Sequence, residues 1–388
     1  MIYSCSSPLF ITNNNIELYK IIEDDKIGYI DQKGKLRIKA EFERCSSNFD
    51  YDFCTEDFYA GELAIIKLNS KFGLINQKGE IVLEPTFDVL EWTVEPHNFI
   101  AKKGNKYGVI NSKGETILPF IFDSRYFLIQ NEIFHNSIDG QNYYYNPKTG
   151  KKTKSEYDYS TPFTFKYSVV QKNGKYGLIN NKLETVIKPK YDKLGNYRNG
   201  LINAKIGNKW VFINKENKVV IDDNFEFASS FQNGIATVKK NKYGAMDSLG
   251  NILIPFKYEY LSYEGNDPKG IPVFQFSNKE NYFSYNSKNG LINIKRDTIL
   301  EPKYSDIFYL EDIAQVSSES GVGIIDIKKN KIIIPTVFDS VNFYEFGLSI
   351  VFYSDDEGNE YFGYINRRKK IIWAQNKKLL LKKLKNSG

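Results

Sequence analysis

Lys175-Tyr176-Gly177-Leu178-Ile179-Asn180 is the stretch that decides the architecture of this chain, because the same phrase returns about ten times along it. Close copies are Lys71-Phe72-Gly73-Leu74-Ile75-Asn76 and Lys106-Tyr107-Gly108-Val109-Ile110-Asn111. Weaker copies put Gly28, Gly244, Gly290, Gly323 and Gly363 in the glycine slot. Units repeated in this way bury their apolar faces against one another, so the repeat sets the fold ahead of local propensity. In most copies an aromatic residue follows the glycine at a distance of fourteen positions: Phe42, Phe87, Phe122, Tyr191, Tyr258 and Tyr304. Val211 replaces the glycine in one unit, and Phe225 still lies fourteen residues on. The spacing from Tyr144 to Tyr157 is thirteen, and from Gly323 to Phe338 fifteen. A distance held so steadily between otherwise divergent segments is geometric.

Between the two anchors the sequence reads as a hairpin. Tyr107 to Asn111 alternates as a strand, Ser112-Lys113-Gly114 turns, and Glu115 to Leu118 returns. Pro85, Pro119, Pro189, Pro255, Pro302 and Pro335 are expected to end the returning strand, since proline cannot donate to a sheet ladder. An aromatic-acid pair follows, as in Phe122-Asp123 and Tyr191-Asp192, and opens a third strand of about five residues. A phrase aromatic-x-x-Gly (Phe58 to Gly61, Tyr197 to Gly200, Phe231 to Gly234, Tyr344 to Gly347) introduces a fourth. Each unit is a four-stranded antiparallel meander of roughly 33 to 46 residues, starting at the motif glycine. The fold class is all-β, with about ten such meanders in a β-propeller-like arrangement; an open β-solenoid or superhelical array is the alternative.

The combination of aromatic-Gly-aliphatic-Ile-Asn/Asp, x-x-Gly, a Val/Ile strand with proline, and Tyr/Phe-Asp resembles the bacterial WG-containing repeat family. The resemblance runs from about Lys26 to Trp373, with Tyr or Phe in most positions of the signature tryptophan. It implies a tandem β-repeat protein and brings no catalytic residues with it. The repeat array is assigned to residues 1–372, with a weak break near 130–165, and residues 373–388 form a basic tail.

Composition narrows the function classes. The 28 Tyr and 28 Phe favour half-buried strands. The net charge of +6, taken as spread along the chain, implies solubility rather than a polyanion partner, and no nucleic acid is expected. Cys5, Cys45 and Cys54 are too few to staple the fold. His97 and His135 are the only histidines and stand in no metal-ligand spacing, which argues against a His-based metal or triad site. No apolar run is long enough to span a membrane. A cytoplasmic protein is expected, with lipid attachment at Cys5 the alternative if the gene starts upstream.

The aromatic-acid pairs invite comparison with the paired carboxylates of glycoside hydrolysis, but a residue present in nearly every unit is better read as a cap on a turn. The motif glycines lack phosphate-loop context and are expected to let an aromatic ring lie over bare backbone. Lysines of the loop before each motif are the first binding candidates: Lys102, Lys103, Lys106, Lys172, Lys175, Lys239, Lys240 and Lys242 would form one band if the units stack in register. The insertions at 43–60 and 259–281 add Tyr51, Phe53 and Tyr263. The tail Lys377 to Lys385 reads as a cap or a short amphipathic helix. A non-enzymatic protein-binding scaffold without cofactors fits these features, engaging a protein or an extended acidic or glycan surface. A cell-envelope or carbohydrate-binding module is the alternative, and an enzyme ranks third.

Overall fold

A computed structural model describes residues 18–44, 58, 62–93, 97–125, 133–278, 288–310, 312–342 and 347–385. Cys5, Cys45, Cys54, Tyr51 and Phe53 lie outside them. The described residues form ten small antiparallel sheets in tandem, the β-propeller type of architecture, and one short helix. Among the described residues seven sheets have four strands, and the first, second and fourth have three. Strands follow each other in chain order within every sheet, as in a meander.

The fifth sheet shows how the sequence produces this. Its strands are Tyr159–Ser160, Tyr167–Lys172, Lys175–Asn180 and Thr185–Tyr191. The motif strand is therefore third in its sheet, and the sheet begins two strands earlier than the motif glycine suggests. The strand after the aromatic-acid pair belongs to the following sheet: Lys193–Leu194 pairs with Ile202–Ile206 of the sixth. That opening strand is two residues long in the fifth, sixth, seventh and tenth sheets, shorter than the expected five.

The proline is placed differently from expectation as well. It lies inside the fourth strand, at a bulge, and the strand continues to the aromatic anchor. Tyr176 pairs with Tyr191 and Leu178 with Ile187, so Lys188, Pro189 and Lys190 together face Gly177. An edge-strand bulge is where a residue without an N–H is tolerated. The bulge brings backbone against the glycine, joined by an aromatic ring at Gly108 (Phe120), Gly244 (Phe256) and Gly290 (Phe276): a β-carbon on Gly177 would stand 2.5 Å from the Ile187 carbonyl oxygen and 2.7 Å from the Pro189 nitrogen. Gly73, Gly290 and Gly323 face the same obstruction. The fourteen-residue spacing follows directly, because the residue before the glycine pairs with the aromatic anchor in sheet after sheet (Phe72 with Phe87, Tyr107 with Phe122, Tyr243 with Tyr258). In the sixth sheet the bulge has no proline and Asn224 takes a left-handed conformation (φ 54°); there Val211 fills the slot, buried.

The motif asparagine closes the hairpin. Asn180 Oδ1 accepts from the Lys182 and Glu184 amides, both at 3.0 Å, and its amide nitrogen donates to Glu184. Asn76 and Asn111 repeat the arrangement.

The chain divides into two compact units: residues 1–132, 136–143 and 147–151 in one, and 133–135, 144–146 and 152–388 in the other. In the first, Leu63, Ile65, Leu74 and Phe87 of the second sheet pack on Leu90, Phe99, Ala101 and Ile110 of the third. In the second, Val169, Leu178 and Ile187 of the fifth sheet meet Leu194, Ile202, Ala204, Val211 and Ile213 of the sixth. Each fully buried aliphatic side chain contributes about 1.5–3 kcal/mol, so these sheet-on-sheet layers are the principal source of stability. The tail is the helix Lys377–Lys385, docked on the tenth sheet with Leu380 fully buried among Ile334, Phe338, Tyr353 and Ile365. Asn376 caps it, its Oδ1 accepting from the Leu379 amide, and the Tyr353 hydroxyl donates to the Asn376 carbonyl at 3.0 Å. The insertion at 259–281 contains two regular strands, Tyr260–Asn266 and Pro272–Ser277, joined by a tight turn.

Candidate functional site

The acid of each aromatic-acid pair is the residue through which one sheet is tied to the next. Asp192 donates its amide to the Lys205 carbonyl, which starts the sixth sheet. Its carboxylate accepts from Lys175 Nζ of the fifth sheet at 2.6 Å and from the Gly207 amide of the sixth at 2.7 Å. Asp123 binds Lys106 at 2.6 Å, the Ser137 hydroxyl at 2.6 Å and the Gly140 amide at 2.8 Å. Lys71 pairs with Asp88, and Lys242 with Glu259. Glu226 accepts from the Asn241 amide. Hydrogen bonds from Lys106, Ser137 and Gly140 hold the Asp123 carboxyl far below the usual carboxylate range, and those from Lys175 and Gly207 lower Asp192. Asp123 and Asp192 remain ionised at neutral pH, each in a structural contact.

The lysines expected to form a binding band are accordingly tied into the frame. Lys106, Lys175 and Lys242 hold the clamp carboxylates, Lys172 pairs with Glu156 at 2.6 Å, and Lys240 pairs with Asp223. Lys102 lies over Tyr107 at 5.4 Å, and Lys103 over Phe87 and Phe120 at 5.3 and 4.9 Å. Lys239 sits over Tyr243 and 3.4 Å from Glu226. Cations held over rings in this way shield the aromatic anchors from water. Tyr263 packs its ring on Phe274 and bonds Asn266 and Asn233 through its hydroxyl, linking the seventh and eighth sheets. Among the described residues no group of three His, Cys, Asp or Glu side chains gathers as a metal site.

The sequence was expected to carry its charge evenly, and it does not. Residues 148–218 hold sixteen basic and five acidic side chains, whereas residues 301–360 hold four basic and twelve acidic. The first of these segments closes the fourth sheet and covers the fifth and most of the sixth. It also contains the clearest departure from the repeat. The sixth and seventh sheets join their first two strands by turns centred on Asn199-Gly200 (φ 51° and 82°) and Asn233-Gly234 (φ 49° and 81°), the residues that a turn with two positive φ values prefers. The fifth sheet places Phe165-Lys166 there, at φ 50° and 68°, while Thr164 and Tyr167 exchange both backbone hydrogen bonds. No other Phe, Tyr or Trp among the described residues has a positive φ. Left-handed conformations cost a bulky residue about 1–3 kcal/mol.

Phe165 gains no burial in return: it is 66% exposed. The Arg198 guanidinium lies 5.6 Å from its ring centre, and Tyr167 meets Tyr197 at 4.8 Å. The Asn181 amide donates to the Lys166 carbonyl, which brings Lys182 to the same end of the sheet. Reading the aromatic-x-x-Gly phrase one sheet earlier exposes the signal in the sequence, since Phe163 is followed by Lys166 where glycine stands elsewhere.

A family model described as WG containing repeat matches residues 27–72, 72–107, 107–128, 176–210, 212–242, 243–266 and 323–354. No curated protein matches the sequence. Among solved structures, a eukaryotic initiation factor matches with a TM-score of 0.50 at 10% identity, over 94% of this chain and 96% of that one. PorZ, a surface component of the type-IX secretion system of Porphyromonas gingivalis, matches at 8% identity with a TM-score of 0.25, over 92% of this chain and 64% of that one. At such identities the first likeness concerns the fold alone. No helix among the described residues is long and apolar enough to cross a membrane.

Proposed function

We propose that this chain, which belongs to the WG-containing repeat family, is a non-catalytic scaffold that binds a protein partner through the faces its repeat leaves unoccupied. The observation that carries this reading is the uneven charge. Clamp carboxylates neutralise motif lysines in sheet after sheet, yet residues 148–218 retain an excess of eleven positive charges beyond their five acids. An excess of this size over two adjacent sheets attracts and orients an acidic partner. The titratable groups with shifted ionisation are accounted for by clamps, turn caps and burial, an arrangement suited to a rigid frame.

Zero-length carbodiimide cross-linking in the native host tests the reading, because it joins lysines to partner carboxylates. A protein cross-linked to residues 148–218 is the expected product. A chain recovered without any protein cross-linked to it would overturn the scaffold reading. Mass measurement of the mature N-terminus separates a cytoplasmic scaffold from one held by lipid on Cys5.

A further inference from the structure

We infer that the Phe165-Lys166 turn of the fifth sheet, with Arg198 and Tyr197 of the sixth, is a docking site for an acidic peptide segment bearing an aromatic or large aliphatic anchor. This inference rests on the scaffold reading and assigns its contact point.

Four observations converge on that turn. Its backbone is held at φ 50° and 68° by residues that disfavour those angles, where the two following sheets use Asn-Gly. Its aromatic ring is presented to solvent. A cation is already stacked on that ring at 5.6 Å. The surrounding segment is strongly basic, with Lys166 in the turn itself and Lys182 next to Asn181, whose amide bonds the Lys166 carbonyl. Closing the sheet does not require these residues, because Asn-Gly closes the equivalent turns in the sixth and seventh sheets. An exposed aromatic ring kept in a costly backbone conformation, with no burial in return, points to a contact made outside the chain.

The chemistry of the patch selects the partner. The positive surplus requires carboxylates, and the open side of the Phe165 ring requires an apolar side chain to cover it. Thr164 precedes the turn, Asn181 bonds the Lys166 carbonyl and Asn199 follows Arg198, residue types whose hydroxyl and amide groups suit a peptide backbone. Stacked nucleobases fit less well. Arg198 occupies a position over Phe165, and Tyr167 and Tyr197 meet at an interplanar angle of 60°, so their rings form no flat platform.

The test uses the full chain and fluorescence anisotropy with four probes. They are a short peptide of glutamates interrupted by phenylalanines, the same peptide with serines for phenylalanines, an oligo-thymidine of equal charge, and phosphatidylserine vesicles. The key variant is Phe165→Asn with Lys166→Gly, which restores the turn of the neighbouring sheets. It should keep or raise the melting temperature, because the backbone strain is removed. It should also weaken the glutamate-phenylalanine peptide by about tenfold or more, with a much smaller effect on the glutamate-serine peptide. Arg198→Gln should weaken the same peptide in an unchanged fold.

Equal affinity of that peptide for wild type and the turn variant overturns the assignment. So does binding of oligo-thymidine or vesicles in its place, and so does failure of the peptide to bind wild type. A native partner cross-linked within residues 148–218 but indifferent to the turn variant would remove this site and leave the scaffold reading standing. Absence of any cross-linked partner would remove the scaffold reading itself.

Discussion

Gly177→Ala is the substitution that most sharply tests why the motif glycine recurs. The new β-carbon would lie 2.5 Å from the Ile187 carbonyl oxygen and 2.7 Å from the Pro189 nitrogen. Ordinary contact needs about 3.4 Å, so one strand must move by roughly 0.9 Å. Neither strand is free to do so. Lys175–Asn180 is paired along both edges, and Ile187 is packed in the layer shared with the sixth sheet. Both offending atoms belong to backbone, which cannot swing away as a side chain would. Overpacking of this kind costs about 1–3 kcal/mol, and the rigid surroundings place it at the upper end, near 3 kcal/mol. Hydrogen exchange at the amides of residues 185–191 reads that loss locally, as a drop in protection of about a hundredfold. Val211→Gly provides the reciprocal control in the same slot of the sixth sheet. There the side chain is buried, and its removal should destabilise by about 2–3 kcal/mol through lost burial and added backbone freedom. A Gly177→Ala protein whose protection and unfolding midpoint stay within about 0.5 kcal/mol of wild type would refute the close-approach account.

Asp123→Asn should lower stability at neutral pH by about 1–2 kcal/mol, since three donors lose a charged acceptor that is partly screened by solvent. Because the folded state depresses this carboxyl, its contribution is present above the ordinary aspartate range near 4 and fades as pH falls through and below it; acid titration of the variant should be correspondingly flatter. Leu380→Ala should cost about 2–5 kcal/mol of helix docking, read as early proteolysis after Lys377 or Lys378. Burial pushes the Tyr353 hydroxyl up to about 12, so the neutral phenol is favoured by the fold, and its stabilising share is present below pH 10 and lost as pH rises towards 12. Circular dichroism should show the helix loosening over that alkaline interval, and Tyr353→Phe should remove the alkaline step.

Periodic features were legible in the sequence and singular ones were not. The glycine, its aromatic partner fourteen residues on and the turn glycine recur because each satisfies the same backbone geometry, so spacing alone reveals an all-β tandem array. Phase was hidden, since a meander has no marked beginning. It is the structure that shows a sheet opening after the aromatic-acid pair, as where the Asp192 amide bonds Lys205 and the Asp123 amide bonds Ser137. The proline misled because the edge strand tolerates it within a bulge, a fact set by the register of Tyr176 with Tyr191 and not by composition. The lysine band was legible as residues but not as contacts: Lys175 and Asp192 stand seventeen positions apart and meet only through the register that pairs Tyr176 with Tyr191. The Phe165 turn was obscured for the opposite reason, because a missing glycine is conspicuous only once the neighbouring turns are aligned in space. Tyr51 and Phe53 fall outside the described residues.

The central claim is that repeating residues hold the frame and that binding resides where the repeat is broken. Affinity for the glutamate-phenylalanine peptide, measured side by side on the Phe165→Asn/Lys166→Gly protein and on Lys106→Gln and Lys175→Gln proteins, tests it most directly. The account predicts about a tenfold loss or more for the turn variant and changes within about twofold for the lysine variants, which should instead melt earlier. Loss of binding in the lysine variants with the turn variant unchanged would contradict it.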